Sequence, residues 1–388
     1  MSKRKIILTS IISVISAFLL FVICYVGYIL ISYYRIEDNF VLEIDSASTL
    51  DAVNTNEEYS ISTYNIGFGA YSQDYTFFLD SGYNADGKEV TGYYSTARSK
   101  EEVLFNTNGA IDTIKALNPD FLLFQEVDTS STRSHKVNQY EMIKKSFNSY
   151  DSTFALNFHT AFLPYPLYDM HGKVEAGLAT LSKYQIASSI RKSFTVATDL
   201  SKLFDLDRCF SVSEINVSNN SKLVIVNVHM SAYDEGGVIR KAQKDELNRF
   251  LQEVYSKGYY VIVGGDYNHD LLTYNPEYDY SIDKMPFKDY TTMLKPDWLQ
   301  MFFNSDSTVD LPSGFKVCAS DNAPTCRDAS VEWLKGYSYV TCIDGFIVSD
   351  NVEVMYSETI VTSNGSLGVD HFAYSDHDPV VMKFKLKG

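Results

Sequence analysis

Polar side chains recur where apolar runs end. Phe121–Phe124 is followed by Gln125 and Glu126, Leu223–Val228 by His229, and Tyr259–Val263 by Gly264, Gly265, Asp266, Tyr267 and Asn268. Asn65 lies near the end of the run Ser60–Ile66, and Ser375, Asp376, His377, Asp378 and Pro379 stand immediately before the last apolar stretch. Carboxylate and amide oxygens are hard ligands suited to Mg²⁺ or Ca²⁺, and imidazoles exchange protons near neutral pH. A divalent cation among carboxylates, with histidines beside it, is the equipment for phosphoester hydrolysis, in which the metal screens phosphate charge and a base orients water for in-line attack. Each group alone has a plainer reading: a polar turn, an Asx-turn after two glycines, a satisfied core histidine, a strand cap. Their joint recurrence favours the chemical one.

The elements that must position these groups are short. Ser60–Ile66, Phe121–Phe124, Gly177–Leu181, Leu223–Val228, Tyr259–Val263 and Gly345–Val348 read as buried strands. Glu101–Leu117 carries Val103, Leu104, Ile111, Ile114 and Leu117 at helical spacing and stops at Asn118-Pro119. Val238–Tyr255 does the same with Ile239, Leu247, Phe250, Leu251 and Val254, ahead of Gly258. Strands outnumber helices and often follow one another through turns, which predicts layered α/β architecture with mixed sheets. Active sites collect at strand ends on such scaffolds.

The N-terminus fixes location. Lys3, Arg4 and Lys5 precede an uncharged apolar run, Ile6–Ile31. As a helix this run is ~39 Å long, against ~30 Å of bilayer hydrocarbon. It is too long for a signal-peptide core and lacks a convincing cleavage site, so it reads as an uncleaved, single-pass anchor, a cleaved secretion signal being the alternative. The basic tail, residues 1–5, places the N-terminus in the cytoplasm and the rest outside the cell membrane. Residues 32–58 read as an acidic linker and 59–388 as one catalytic domain without repeats.

The chain has 388 residues, with 33 Lys and Arg against 49 Asp and Glu and a net charge of −16. Four of the basic and seven of the acidic residues precede Tyr59, so the remainder keeps 29 against 42, and the acidity belongs to the domain. That excludes unselective, charge-driven adhesion to nucleic acid. With 45% apolar residues the chain is not a disordered acidic tail. Cys318 and Cys326 bracket a short loop that an oxidising compartment would let a disulfide close, free thiols being the alternative. The cysteine spacing argues against zinc.

Thr63-Tyr64-Asn65-Ile66, Phe124-Gln125-Glu126-Val127, Asn227-Val228-His229, Gly265-Asp266-Tyr267-Asn268, Ile343-Asp344-Gly345-Phe346 and Ser375-Asp376-His377-Asp378-Pro379-Val380 together resemble the endonuclease/exonuclease/phosphatase superfamily, which includes deoxyribonuclease I and neutral sphingomyelinases. The resemblance spans the whole domain and points to a membrane-anchored, bacterial-type member. It implies a deoxyribonuclease I-like sandwich of two mixed sheets flanked by helices, and a phosphodiesterase using Mg²⁺, with Mn²⁺ or Ca²⁺ as alternatives. Glu126 is then the principal metal ligand, with Asn65 and Asp376 beside it. Asp266 orients or deprotonates water, Asn268 holds phosphate, Asp344 orients His377, and His229 serves as a general acid. Two departures are visible: Tyr267 replaces the family's usual phenylalanine, and Gly67 stands where some members carry an acidic ligand.

The substrate is less constrained. Nucleic acid leads; a phospholipid phosphodiesterase of sphingomyelinase type is the alternative, and an inactive binding ectodomain is the alternative of another class. Arg98, Arg133, Arg240 and Arg327 are candidate phosphate contacts. Phe162–Tyr168 reads as an apolar lip or a packed loop, and the Tyr/Phe-rich stretch 67–100 as core or substrate contact, core being favoured. A monomer is the default expectation.

Overall fold

The computed structural model describes residues 3–32, 34–84, 86–196, 207–232, 237–272, 310–364 and 369–388. Its organising unit occurs twice. Strand Glu58–Asn65 runs through helix Lys100–Leu117 into the parallel strand Phe121–Asp128. Strand Lys222–His229 runs through helix Val238–Tyr255 into the parallel strand Tyr260–Asp266. A parallel pair needs such a crossover, and the crossover helix covers one sheet face. All other pairings in the two large sheets are antiparallel.

The first sheet runs, edge to edge, Val352–Thr359, Val380–Leu386, Glu58–Asn65, Phe121–Asp128, Gly172–Ser182, Asp151–Leu163 and Ile44–Asp45. The second runs Phe40–Val41, Ile186–Ser193, Cys209–Asn216, Lys222–His229, Tyr260–Asp266, Asp344–Ser349 and Phe315–Cys318. They stack face to face. Ile61, Phe121, Leu123, Ile225, Ile262 and Phe346 share the inter-sheet core. The alternate residues face outward under the helices: Leu122 and Phe124 beneath Ile111 and Ile114, and Val224, Val226 and Val261 beneath Leu247 and Leu251. Both faces of the central strands are buried, which is why these runs are continuously apolar rather than alternating. The result is the expected sandwich of two mixed sheets flanked by helices.

Helix Lys100–Leu117 begins where the Ser99 side chain accepts from the Glu102 amide and ends at Asn118, whose φ of +47° suits a left-handed C-cap. Helix Lys3–Ser32 has a mean hydropathy of 2.8 over its most apolar window, long and apolar enough to cross a membrane. Its last turns rest on the domain: Ile29 is buried, and Tyr25 Oη donates to the Phe162 carbonyl at 2.7 Å. The acidic segment after it adds an edge strand to each sheet, Phe40–Val41 beside Ile186–Ser193 and Ile44–Asp45 beside Asp151–Leu163.

Candidate active site

The two crossover units deliver their parallel strands to one end of the sandwich. Asn65, Glu126, His229 and Asp266 therefore arrive together from four strand ends. Two antiparallel strands start at the same end. Asp344 pairs in register with Asp266, and Val380, just after His377, pairs with Thr63.

Local backbone irregularities aim the side chains. Between Phe124 and Val127 the register slips, and Glu126 takes a φ of +54°. Such a bulge turns a side chain off the sheet's alternation. Gln125 points inward, donating to Asn227 Oδ1 at 2.7 Å, while Glu126 reaches the cavity. Asn227 in turn donates to the carbonyls of Ala179 and Phe124, locking the bulge. Asn268 follows Asp266 in the left-handed region, with its amide donating to Asp266 Oδ1 at 2.8 Å. Gly67 has a φ of +49°, and a Cβ there would lie 2.6 Å from the Tyr71 ring and 3.0 Å from Asp376 Oδ1. This backbone leaves no place for the acidic residue some relatives carry.

Asp266 is the centre of the cluster. Its Oδ2 accepts from Asn65 Nδ2 at 2.9 Å and lies 3.3 Å from His229 Nε2 and 3.8 Å from His377 Nε2. Asn65 Nδ2 also reaches Glu126 Oε1 at 3.3 Å. Asp344 Oδ2 is 2.8 Å from His377 Nδ1, which leaves Nε2 turned toward Asp266. Thr325 Oγ1 accepts from the amides of Ile343 and Asp344 and so fixes that carboxylate. Asn268 Nδ2 donates to the Met230 carbonyl at 2.8 Å.

Burial sets the proton affinities. It pushes the Asp266 carboxyl up to about 6, against the pull of His377 and with the push of Asp344. It drives His229 well below its ordinary value, aided by Arg208 and His377, so this imidazole is neutral. Burial also disfavours a charged His377, but Asp344, Cys326 and Asp376 outweigh it and hold its proton well above the ordinary range.

Two groups of hard ligands are present. Glu126 and Asp376 line one cavity of about 1300 Å³ with Asp266, Asn268, His229 and His377. Asp376 is raised by burial and then, once His377 is offset, by the negative charge of Glu126. Two carboxylates repelling each other across a cavity, with an amide between them and Asp266, fit a divalent cation. Asp266, Asp344 and His377 form a second cluster whose ligand atoms lie within 4.8 Å of one another, and the buried Asp344 Oδ1 has no hydrogen-bond partner among the described residues.

Sequence reasoning placed none of Asn227, Thr325 or Cys326 in the chemistry of the site. Asn227 had a signal, since it stands in the stretch that ends in His229. Cys326 had none: it comes from a separate two-residue strand, and its Sγ lies 3.6 Å from His377 Nε2. Cys318 and Cys326 are free thiols, which corrects the loop-closing disulfide. Cys326 is instead held beside His377 by an isolated bridge, and burial raises its thiol to about 12. Of the candidate phosphate-binding arginines, Arg98 is engaged by Asp74 and Glu102, and Arg133 pairs with buried Asp128 at 2.9 Å. Arg327 donates to the carbonyls of Ser72 and Tyr75, while Arg240 is buried on helix Val238–Tyr255. Arg133 and Arg327 line the cavity.

Layered sheets with a carboxylate–imidazole cluster at their converging strand ends define a phosphoester hydrolase. Residues 103–377 match the endonuclease/exonuclease/phosphatase family, and the chain belongs to it. Divalent-metal dependence is typical of that family. No curated protein sequence matches the chain. Among solved structures it is similar to ANGEL2, a 2′,3′-cyclic phosphatase, at 16% identity and a TM-score of 0.52, covering 92% of this chain and 100% of that one. ANGEL2 in complex with adenosine-2′,3′-vanadate aligns at 14% identity and 0.51, with the same coverage. Truncated Caenorhabditis elegans TDP2 aligns at 15% identity and 0.49, covering 85% of this chain and 99% of that one.

Proposed function

We propose that the protein is a membrane-anchored, metal-dependent phosphodiesterase whose catalytic domain lies outside the cytoplasm. The observation that carries this reading is Asp266: one buried carboxylate in reach of Asn65, His229 and His377, with Glu126 on the adjoining bulge. Asp266 takes the proton of the attacking water or orients it, and its raised affinity suits a base working near neutral pH. Asp344 keeps His377 Nε2 facing the reacting phosphorus, and protonated His377 stabilises charge building on the phosphoryl oxygens. His229 and Asn268 flank the same space and hold the ester oxygens by hydrogen bonds; a neutral His229 does not supply the leaving group's proton, against the general-acid role the resemblance implied. Glu126, with Asn65 and Asp376, would hold Mg²⁺, for which Mn²⁺ or Ca²⁺ can substitute. When bound, the cation supplies neutralisation of phosphate charge.

The basic residues Lys3, Arg4 and Lys5 in the first turn of the helix, ahead of its apolar run, support the cytoplasmic placement of the N-terminus. Two substrate readings follow. Nucleic acid is the leading expectation, and aromatic cavity walls such as Tyr71 and Phe78 suit base stacking. A phospholipid head group is the second, favoured by the anchor and the exposed apolar residues beside the cavity. Full-length protein in detergent, assayed on DNA, RNA, phospholipid micelles and bis(p-nitrophenyl) phosphate with each cation, tests the reading. We expect metal-dependent turnover, abolished by EDTA and lowered at least ~100-fold by His377→Ala. Turnover of none of these esters with any cation would refute it.

A further inference from the structure

Where the anchor helix meets the domain decides how the cavity faces the membrane. Every residue from Lys3 to Cys24 is exposed, and contact with the domain begins at Tyr25. The 19 of these that follow the basic tail, from Ile6 on, span ~29 Å of helix, close to the ~30 Å of a hydrocarbon core. The bilayer surface on the domain side therefore lies at the level of Tyr25, with Tyr28 and Tyr34 above it, the side-chain type that favours this interface. Tyr25 is also a wall of the active-site cavity, together with Asp266 and His377. A cavity that includes a residue of the anchor at the membrane surface opens at that surface.

The neighbouring rim is apolar. In the loop after strand Asp151–Leu163, Tyr165 is 66% exposed, Leu167 77% and Tyr168 59%; on the facing insertion, Leu79 and Tyr93 are 54% and 56% exposed. The two sides are built together: Tyr168 stacks on Tyr93 at 4.8 Å and Tyr165 contacts Phe78 at 5.8 Å. Asp169, the acid within the loop, is turned inward to the amides of Ser95 and Thr96. The Tyr25–Phe162 hydrogen bond ties this rim to the helix. Exposed apolar patches of this kind mark contact surfaces, and the anchor supplies the contact.

We infer that this rim enters the outer part of the bilayer that holds the anchor, and that the cavity draws its phosphodiester from that leaflet, making a phospholipid head group the substrate. The inference rests on the phosphodiesterase reading and decides between its two substrate arms. The chemistry is hydrolysis: water adds to phosphorus, the ester P–O bond breaks, and the leaving oxygen takes a proton.

Full-length protein reconstituted in vesicles of phosphatidylcholine, sphingomyelin and phosphatidylglycerol separates the parts. In a Cys24→Ser background, Leu167→Cys carrying an environment-sensitive nitrobenzoxadiazole label should emit to the blue and be quenched by shallow spin-labelled lipid. The same label at Ser218→Cys, in a turn among the exposed residues 218–220, should do neither. Water-like, unquenched emission at position 167 overturns the rim contact. The pair Leu167→Glu and Tyr168→Glu should lower hydrolysis of vesicle lipid at least tenfold and change turnover of bis(p-nitrophenyl) phosphate less than twofold. An equal loss on both substrates, no loss on vesicles, or wild-type protein that cuts DNA but no vesicle lipid overturns the substrate assignment. Inactivity of the wild type on every ester refutes the phosphodiesterase reading instead, and leaves the label to judge the rim.

Discussion

His171 holds the cavity's aromatic wall together only while it is neutral. Its Nδ1 donates to the Ser95 carbonyl at 2.8 Å, bracing the loop after strand Asp151–Leu163 against the aromatic insertion, and its ring lies among Phe77, Phe78 and Phe158. The side chain is 5% exposed. Burial, reinforced by the Arg133 charge, lowers its pKa from 6.5 to about 3. A histidine depressed in the folded state leaves stability untouched above its unfolded value. It withdraws stability as pH falls from there toward the folded value, because the unfolded chain binds the proton first. At pH 5 the loss is about 2 kcal/mol, and at pH 4 about 3 kcal/mol. His171→Asn keeps a donor for Ser95 and removes the titration. Urea unfolding of both full-length proteins in detergent micelles, followed by tryptophan fluorescence at pH 7 and pH 5, isolates this residue, since other acid effects are common to the two. The variant starts lower because ring contacts are lost, but the gap narrows by about 2 kcal/mol on going to pH 5. A gap independent of pH would show that His171 does not titrate as its burial requires.

Three further outcomes are expected. Asp128→Ala leaves the buried Arg133 guanidinium, which lies 4.0 Å over the Phe68 ring, without its carboxylate; denaturant unfolding should show a loss of about 3–5 kcal/mol, and a loss under ~1 kcal/mol would mean the arginine finds water or another acid. Gly265 has a φ of +153°, and a Cβ there would sit 2.0 Å from the Val228 carbonyl, so Gly265→Ala should displace Asp266 and lower both melting temperature and turnover; unchanged turnover would contradict the packing. With Asp266 in its proposed role as base and its proton affinity raised to about 6, turnover should rise with pH along an acid limb at or below that value, a bound cation pulling it lower. A limb near 7.5 in the pH–rate profile would assign the base elsewhere.

The sequence told most where the chemistry of a residue is tied to a strand end. Glu126, His229, Asp266 and His377 were legible because each closes or precedes an apolar run, and the structure brings all four to one cavity. The central strands were legible for the same reason: both their faces are buried, so the apolar signal is continuous. Strands Asp151–Leu163 and Ile186–Ser193 were not, because the polar residues Thr153, Asn157, Thr160, Ser189 and Arg191 occupy buried positions in them and break the apolar signal. Arg191 spans from the Leu156 carbonyl to that of Asp207, a pairing no local pattern announces. The edge strands at Phe40 and Ile44 escaped notice too, since two residues carry no period.

What sequence spacing cannot carry is which irregularity aims a residue. Glu126 and Asn268 hold positive φ without being glycine, and both stand at the site, where such backbone persists only if its surroundings over-determine it. For Glu126 the surroundings are named: Gln125 to Asn227, and Asn227 to Ala179 on the neighbouring strand and to Phe124. For Asn268 they are the Asp266 carboxylate before it and the Met230 carbonyl beyond strand Lys222–His229. Apart from the Asp266–Asn268 contact, which is local and made at the proposed base itself, these braces join segments far apart in sequence and lie behind the proposed ligand and base. The acidic cluster is thus held open by neutral amides, which accept and donate without adding charge. A domain as acidic as this one can gather Glu126, Asp266, Asp344 and Asp376 at one end because the scaffolding between them is asparagine, glutamine and threonine. The charge itself is balanced by His377 and by Arg133 and Arg327 in the cavity wall, with a divalent cation the further counter-charge in the proposed function.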